Sequence, residues 1–108
     1  MSTRIGVFEL LVLMAVSSAA KDAYGVRIRQ AVAASRGTDV SSGAVYTTLE
    51  RLERRGLIRS RQGEAVTARA GRPRRYYRLT PTGEDAVRVN YSALRHLARG
   101  VAARMTGA

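Results

Sequence analysis

Residues 40–58 read VSSGAVYTTLERLERRGLI, and the fold turns on them. The stretch spells one helix with a start, a buried face and a stop. Ser41 or Ser42 can cap the start, because a hydroxyl oxygen accepts from an otherwise unpaired N–H of the first turn. Val45, Leu49 and Leu52 recur at i, i+4 and i+7, the spacing of one helical face. Gly56 falls where a helix ends in a left-handed residue, and arginines crowd the last turn, where the helix dipole favours cations. The helix is expected over about 42–55.

Its opposite face is polar. With Val45, Leu49 and Leu52 pointing down, 100° steps bring Gly43, Thr47, Glu50, Arg51 and Arg54 to the top and Tyr46 to one flank. A hydroxyl, a phenol and guanidinium groups suit a helix lying in a DNA major groove, where arginine bonds guanine edges or phosphates. Any solvated helix also carries charges, so this helix alone leaves DNA and plain solvent both open.

The chain downstream favours DNA. Residues 57–62 and 75–79 read as two short strands, the second rich in tyrosine. A polar loop with Gly63, Gly71 and Pro73 joins them. A helix leading into a β-ribbon with a basic tip is the winged-helix arrangement. Here the chain resembles the PadR family of transcriptional regulators. One family pattern is carried by Ser41, Gly43, Val45, Tyr46, Leu49, Arg51, Leu52, Glu53, Gly56 and Ile58. A second is carried by Gly71, Arg72, Arg75, Tyr76, Tyr77, Leu79, Thr80 and Gly83. Tyr24-Gly25 supplies a third. The resemblance covers about residues 5–94.

Composition bounds the partner. The 108 residues suffice for one small domain. The formal net charge is +11, and eighteen of the nineteen basic residues are arginine, Lys21 being the exception. A planar guanidinium bonds phosphate and guanine bidentately, which fits a nucleic-acid partner; genomic base composition also enriches arginine. Residues 51–78 hold ten arginines against two acids, Glu53 and Glu64. An anionic membrane is the other polyanion, but no basic amphipathic helix with an aromatic apolar face is present to suit it. The absence of cysteine excludes disulfides and thiolate metal sites, and a single histidine, His96, excludes a multi-histidine site. No cofactor or metal is expected. The eight acids form no paired-carboxylate site, and neither a phosphate loop nor a nucleophile elbow occurs, so an enzyme is not expected.

Arg4 followed by the apolar run 5–16 imitates a signal peptide, but Glu9 interrupts the run, and it is too short to span a bilayer. A first helix over about 5–17 is the better reading. Being apolar on nearly every side, it needs cover on more than one face, as from a partner subunit. Asp22 is expected to cap a second helix ending near residue 34, with Tyr24, Ile28, Ala31 and Val32 inward and Arg27 and Arg29 outward. Gly25 is expected to let it pack closely on the first helix. Gly71-Arg72-Pro73-Arg74 resembles the core of the AT-hook, an extended segment that lies in narrow minor grooves. A solvated loop is its plainer alternative.

Thr80-Pro81 opens a last helix, threonine capping and proline at the first helical position. Val87, Tyr91, Leu94, Ala98, Val101 and Met105 follow spacings of 4, 3, 4, 3 and 4, a heptad seam. With the domain core expected to be complete at Leu79, that seam has little to cover in its own chain. The family resemblance implies dimerisation of this helix against the first helix of the partner.

The fold expected is mainly α (α+β): three N-terminal helices, a two-stranded wing and a C-terminal dimerisation helix. Residues 1–80 form the DNA-binding domain and 81–108 the dimerisation helix. Ser42, Tyr46, Thr47, Arg51 and Arg54 on the helix, with Arg72, Arg74 and Arg75 on the wing, are the expected DNA contacts. Tyr46 enters by resemblance, and packing is its alternative role. Phe8, Leu11, Val87, Tyr91, Leu94, Ala98, Val101 and Met105 are the expected dimer interface. The function implied is a homodimeric, cytoplasmic, nucleoid-associated repressor of double-stranded DNA operators. A winged helix binding RNA or an acidic protein is the alternative. Thr47 and Ser42 stand where family members often have proline. Some members bind aromatic effectors between subunits. Without tryptophan and with one phenylalanine, a tryptophan-stacked pocket is not expected, though Phe8 and Tyr91 can line a small interface cavity, and no second effector-sized domain is expected.

Overall fold

The computed structural model describes residues 4–63 and 74–107. Helices α1 (Val7–Ala19), α2 (Gly25–Arg36) and α3 (Ser42–Arg54) precede strands β1 (Ile58–Gln62) and β2 (Arg75–Leu79), and α4 (Pro81–Gly107) closes the chain. The strands pair antiparallel, with Ile58 opposite Leu79 and Gln62 opposite Arg75. This is the expected winged helix-turn-helix.

Local chemistry sets the ends of α3. The Ser41 hydroxyl accepts from the Ala44 N–H at 3.1 Å, so Ser41 is the cap and Ser42 the first helical residue. At the other end Leu57 N–H reaches Leu52 O and Gly56 N–H reaches Glu53 O, both at 3.0 Å. That pair of bonds needs a left-handed residue, and Gly56 supplies φ +77. Val45, Leu49 and Leu52 are buried in one cluster with Val12, Leu13 and Val16 of α1 and Ile28 and Val32 of α2.

Helix α2 departs from expectation in four ways. Asp22 ends a short 3-10 turn (Ala20–Asp22), and α2 starts only after Tyr24. The residues between are drawn out along β2: Tyr77 N–H donates to Ala23 O at 2.8 Å, and Tyr24 bridges Tyr76. A helix cannot begin while its lead-in serves as a strand. Ala31 faces solvent. Arg29 is half-buried rather than outward, because its Nε donates to Val40 O at 3.0 Å and so ties α2 to the turn before α3. Gly25 makes its close approach to Tyr46 of α3, not to α1.

The start of α4 belongs to the core, contrary to the expectation that this helix had little to cover in its own chain. Thr80 Oγ1 accepts from Gly83 N–H at 3.0 Å and donates to Gly56 O at 2.6 Å. Ala86 is fully buried and Val87 packs against the cluster. From Tyr91 to Thr106 every residue is exposed. Twenty-seven residues of helix span about 40 Å. The projecting helix raises the radius of gyration to 15.7 Å, where a compact chain of this length would have about 13 Å.

Candidate nucleic-acid interface

Helix α3 is held on three sides, which leaves one face free. Its buried face meets the core. On one flank Arg29 Nη1 of α2 reaches Ser42 Oγ at 3.5 Å, and the Tyr46 ring lies over Gly25. On the other flank Arg51 and Arg55 face Glu9 of α1, at 3.7 and 3.6 Å. The free face carries Gly43, Thr47, Glu50 and Arg54, all exposed. Among the described residues Arg54 has neither an ion pair nor a hydrogen bond, so its guanidinium is available to a ligand.

The expected contacts therefore separate. Thr47 and Arg54 point outward. Ser42 and Arg51 lie on the flanks, each facing a charged neighbour of its own chain. Tyr46 is 44% exposed, but its hydroxyl end sits against the α2 backbone. A Cβ on Gly25 would overlap that hydroxyl. We expect Gly25→Ala to leave the melting temperature nearly unchanged, since the ring swings away cheaply. If Tyr46 is the duplex contact expected from the resemblance, moving its phenol off a phosphate should lower duplex affinity about tenfold, the worth of one hydrogen bond to a charged group. Parallel melts and binding isotherms check both halves.

The hairpin is fastened to α3 through Glu53. Its Oε2 accepts from Ser60 N–H at 3.2 Å and from Ser60 Oγ at 2.8 Å, and Arg75 Nη1 donates to the same hydroxyl at 2.9 Å. Arg75 is thus partly committed to holding the wing. Arg74 stacks over the Tyr24 ring at 4.1 Å and Arg61 over Tyr76 at 4.9 Å, while the two rings meet edge-on at 5.7 Å. Gly63 N–H donates to Arg74 O at 2.6 Å and closes the base of the wing. Arg72 and the Gly71-Arg72-Pro73 core of the AT-hook resemblance lie outside the described residues.

Burial pushes the Tyr77 hydroxyl above the ordinary tyrosine range, and the nearby Arg75 charge offsets part of that. Tyr77 is therefore a neutral packing residue, not a source of charge.

One feature escaped the sequence. The outer face of the hairpin presents Arg59, Arg61 and Arg78 beside Lys21 around an open cleft of about 420 Å³. Arg59 stands directly opposite Arg78 across the strands. Like charges so placed destabilise a sheet. The alternation of residues 58–62 contained this signal, but only the register with β2 and the approach of Lys21 assemble it.

Among the described residues no group of His, Cys, Asp or Glu is placed to hold a metal, and no helix is long and apolar enough to cross a membrane. The model of the transcriptional regulator PadR-like family matches residues 12–89, from the middle of α1 through α2, α3 and both strands to the start of α4. The chain belongs to the PadR-like family. That family is one of transcriptional regulators.

Relatives agree. The transcriptional regulator Rv3488 of Mycobacterium tuberculosis is 46% identical over 65 residues, 60% of this chain and 57% of that protein. The chain therefore spans little more than half of that relative's length. Among solved structures, a PadR family transcription regulator from Clostridium difficile superposes with TM-score 0.73 at 25% identity, over 93% of this chain and 99% of the other. A Streptococcus transcriptional regulator gives TM-score 0.71 at 27% identity, over 93% of each chain. A PadR-like regulator from Bacillus cereus, at 24% identity and TM-score 0.76, covers 95% of each and shares the fold.

Proposed function

We propose that this PadR-like chain is a homodimeric repressor that reads a double-stranded operator with the free face of α3 and grips the flanking backbone or minor groove with its wing. The observation that carries this reading is the outward Thr47 and Arg54 on a helix immobilised at both ends. A rigid helix with a free hydroxyl and a free guanidinium can present them in one register to base edges, where each good bidentate contact discriminates by about 1–3 kcal/mol. The arginines of the hairpin supply sequence-independent affinity through phosphate.

The homodimer is supported by the exposed apolar stripe of α4. Tyr91, Leu94, Val101 and Met105 of the heptad seam are all exposed, and Leu97, outside the seam, widens the stripe at 68% exposure. Half-buried Phe8 and Leu11 and exposed Val7 and Met14 add apolar surface on α1. Val87 serves its own domain first.

Fluorescence anisotropy tests the reading. The duplex upstream of this protein's own coding region is compared with a scrambled duplex and a single-stranded RNA at several salt concentrations. Operator binding is expected to exceed scrambled binding by roughly 10³-fold. Equal binding to all three, lost at moderate salt, would reduce the surface to a generic basic one; preference for the RNA would favour an RNA-binding winged helix. Arg72→Ala and Arg74→Ala are each expected to weaken binding to all duplexes and to lower the salt slope by about 1. Unchanged slopes would remove the wing from the interface.

A further inference from the structure

We propose that Glu9 is a specificity-determining positioning residue, whose carboxylate holds Arg51 and Arg55 and competes with DNA phosphate for them. The proposal rests on α3 meeting DNA.

Glu9 lies in the first turn of α1, outside the elements that would touch a duplex, and its side chain is only 16% exposed. Its carboxylate is fixed in place. Oε1 accepts from the Gly6 N–H at 2.9 Å, and the same oxygen stands 3.6 Å from Arg55 Nη1. Oε2 stands 3.7 Å from Arg51 Nη1. Arg55 is anchored a second time, through Nη2 to Arg4 O at 2.8 Å. A single sheltered carboxylate thus faces two cations from the last turns of the recognition helix.

Those separations are long. A tight charge-assisted bond between guanidinium and carboxylate closes to about 2.7–2.9 Å. Arg51 also keeps half of its side chain in solvent. A guanidinium held this loosely can leave for a phosphate or a base edge, and when it leaves the sheltered carboxylate loses one of its two cations. The exchange is favourable only where DNA offers a well-placed partner. On a mismatched duplex the arginine stays with Glu9. Without Glu9, Arg51 would be released and Arg55 left with only the Arg4 carbonyl, so both would more readily join the pool of charges that binds any phosphate backbone, and discrimination would fall.

Glu9→Gln separates this role from helix capping, because the amide oxygen still accepts from the Gly6 N–H. The variant is expected to bind scrambled duplex about three- to tenfold more tightly, with the slope of log K against log salt steeper by about 1–2. The operator-to-scrambled ratio should shrink. Glu84→Gln makes the same change in net charge at an exposed position on α4 and controls for it; its slope should match the parent. Adding Arg51→Gln and Arg55→Gln to Glu9→Gln should give the slope of the Arg51→Gln/Arg55→Gln double variant.

A Glu9→Gln slope equal to that of Glu84→Gln overturns the proposal. So does steepening that survives loss of both arginines. If the parent protein reads its operator and Glu9→Gln is silent, only this proposal fails. If the parent prefers no duplex, the DNA reading of α3 fails and takes the proposal with it.

Discussion

Leu94→Arg is expected to sediment as a monomer and to lose operator binding by about 10²- to 10⁴-fold, the avidity two linked half-sites confer. Leu94 is half exposed in the single chain, so a guanidinium there meets water and leaves the monomer fold intact. In the proposed dimer the same position is central to the stripe that Tyr91, Leu97 and Val101 share. A charge buried there without a partner is costly. Melting of the monomer fold should change little, because every residue from Tyr91 to Thr106 is exposed in its own chain. Sedimentation showing an intact dimer would remove α4 from the interface. A monomer that still binds its operator at parental affinity would instead separate dimerisation from DNA reading.

The second large effect is on folding. Gly83→Ala places a Cβ onto the carbonyl of Leu57, overlapping its oxygen and 2.9 Å from its carbon. Both are backbone atoms in the segment that closes α3, so no side chain can swing aside. Thr80 at the same junction donates to Gly56 O and caps α4, so the start of α4 cannot drift without breaking the end of α3. Overpacking of this kind costs about 1–3 kcal/mol, and a melting temperature lower by roughly 5–15 °C is expected. The contrast with Gly25→Ala is instructive. There the overlap is with the far end of the Tyr46 side chain, and binding rather than stability should suffer.

Several elements were legible because their causes are local. The helix of residues 42–54 carries its cap, its apolar spacing and its terminating glycine within sixteen consecutive residues, and all three act as the sequence predicts. Strand β2 coincides with the expected 75–79, and Thr80 caps α4 as its hydroxyl suggests. Membership of the PadR-like family was legible for the same reason. Its motifs are short runs whose residues serve turns, caps and one helix face.

What the sequence could not assign are the partners of side chains that reach across the fold. Arg51 reads as a free cation in a helical projection, yet Glu9, forty-two positions earlier, stands beside it. Arg29 reads as outward and instead fastens the turn before α3. Asp22 has the right chemistry for a cap, but β2 claims the two residues that follow it. The sequence by itself determined the helix-turn-helix, the hairpin and the sign of the charge, because backbone propensity and apolar periodicity are properties of neighbours. Tertiary structure alone decided which arginines are free and which are held. A guanidinium on its long flexible stem takes whichever carboxylate or carbonyl the fold brings within reach, and that distance is not written along the chain.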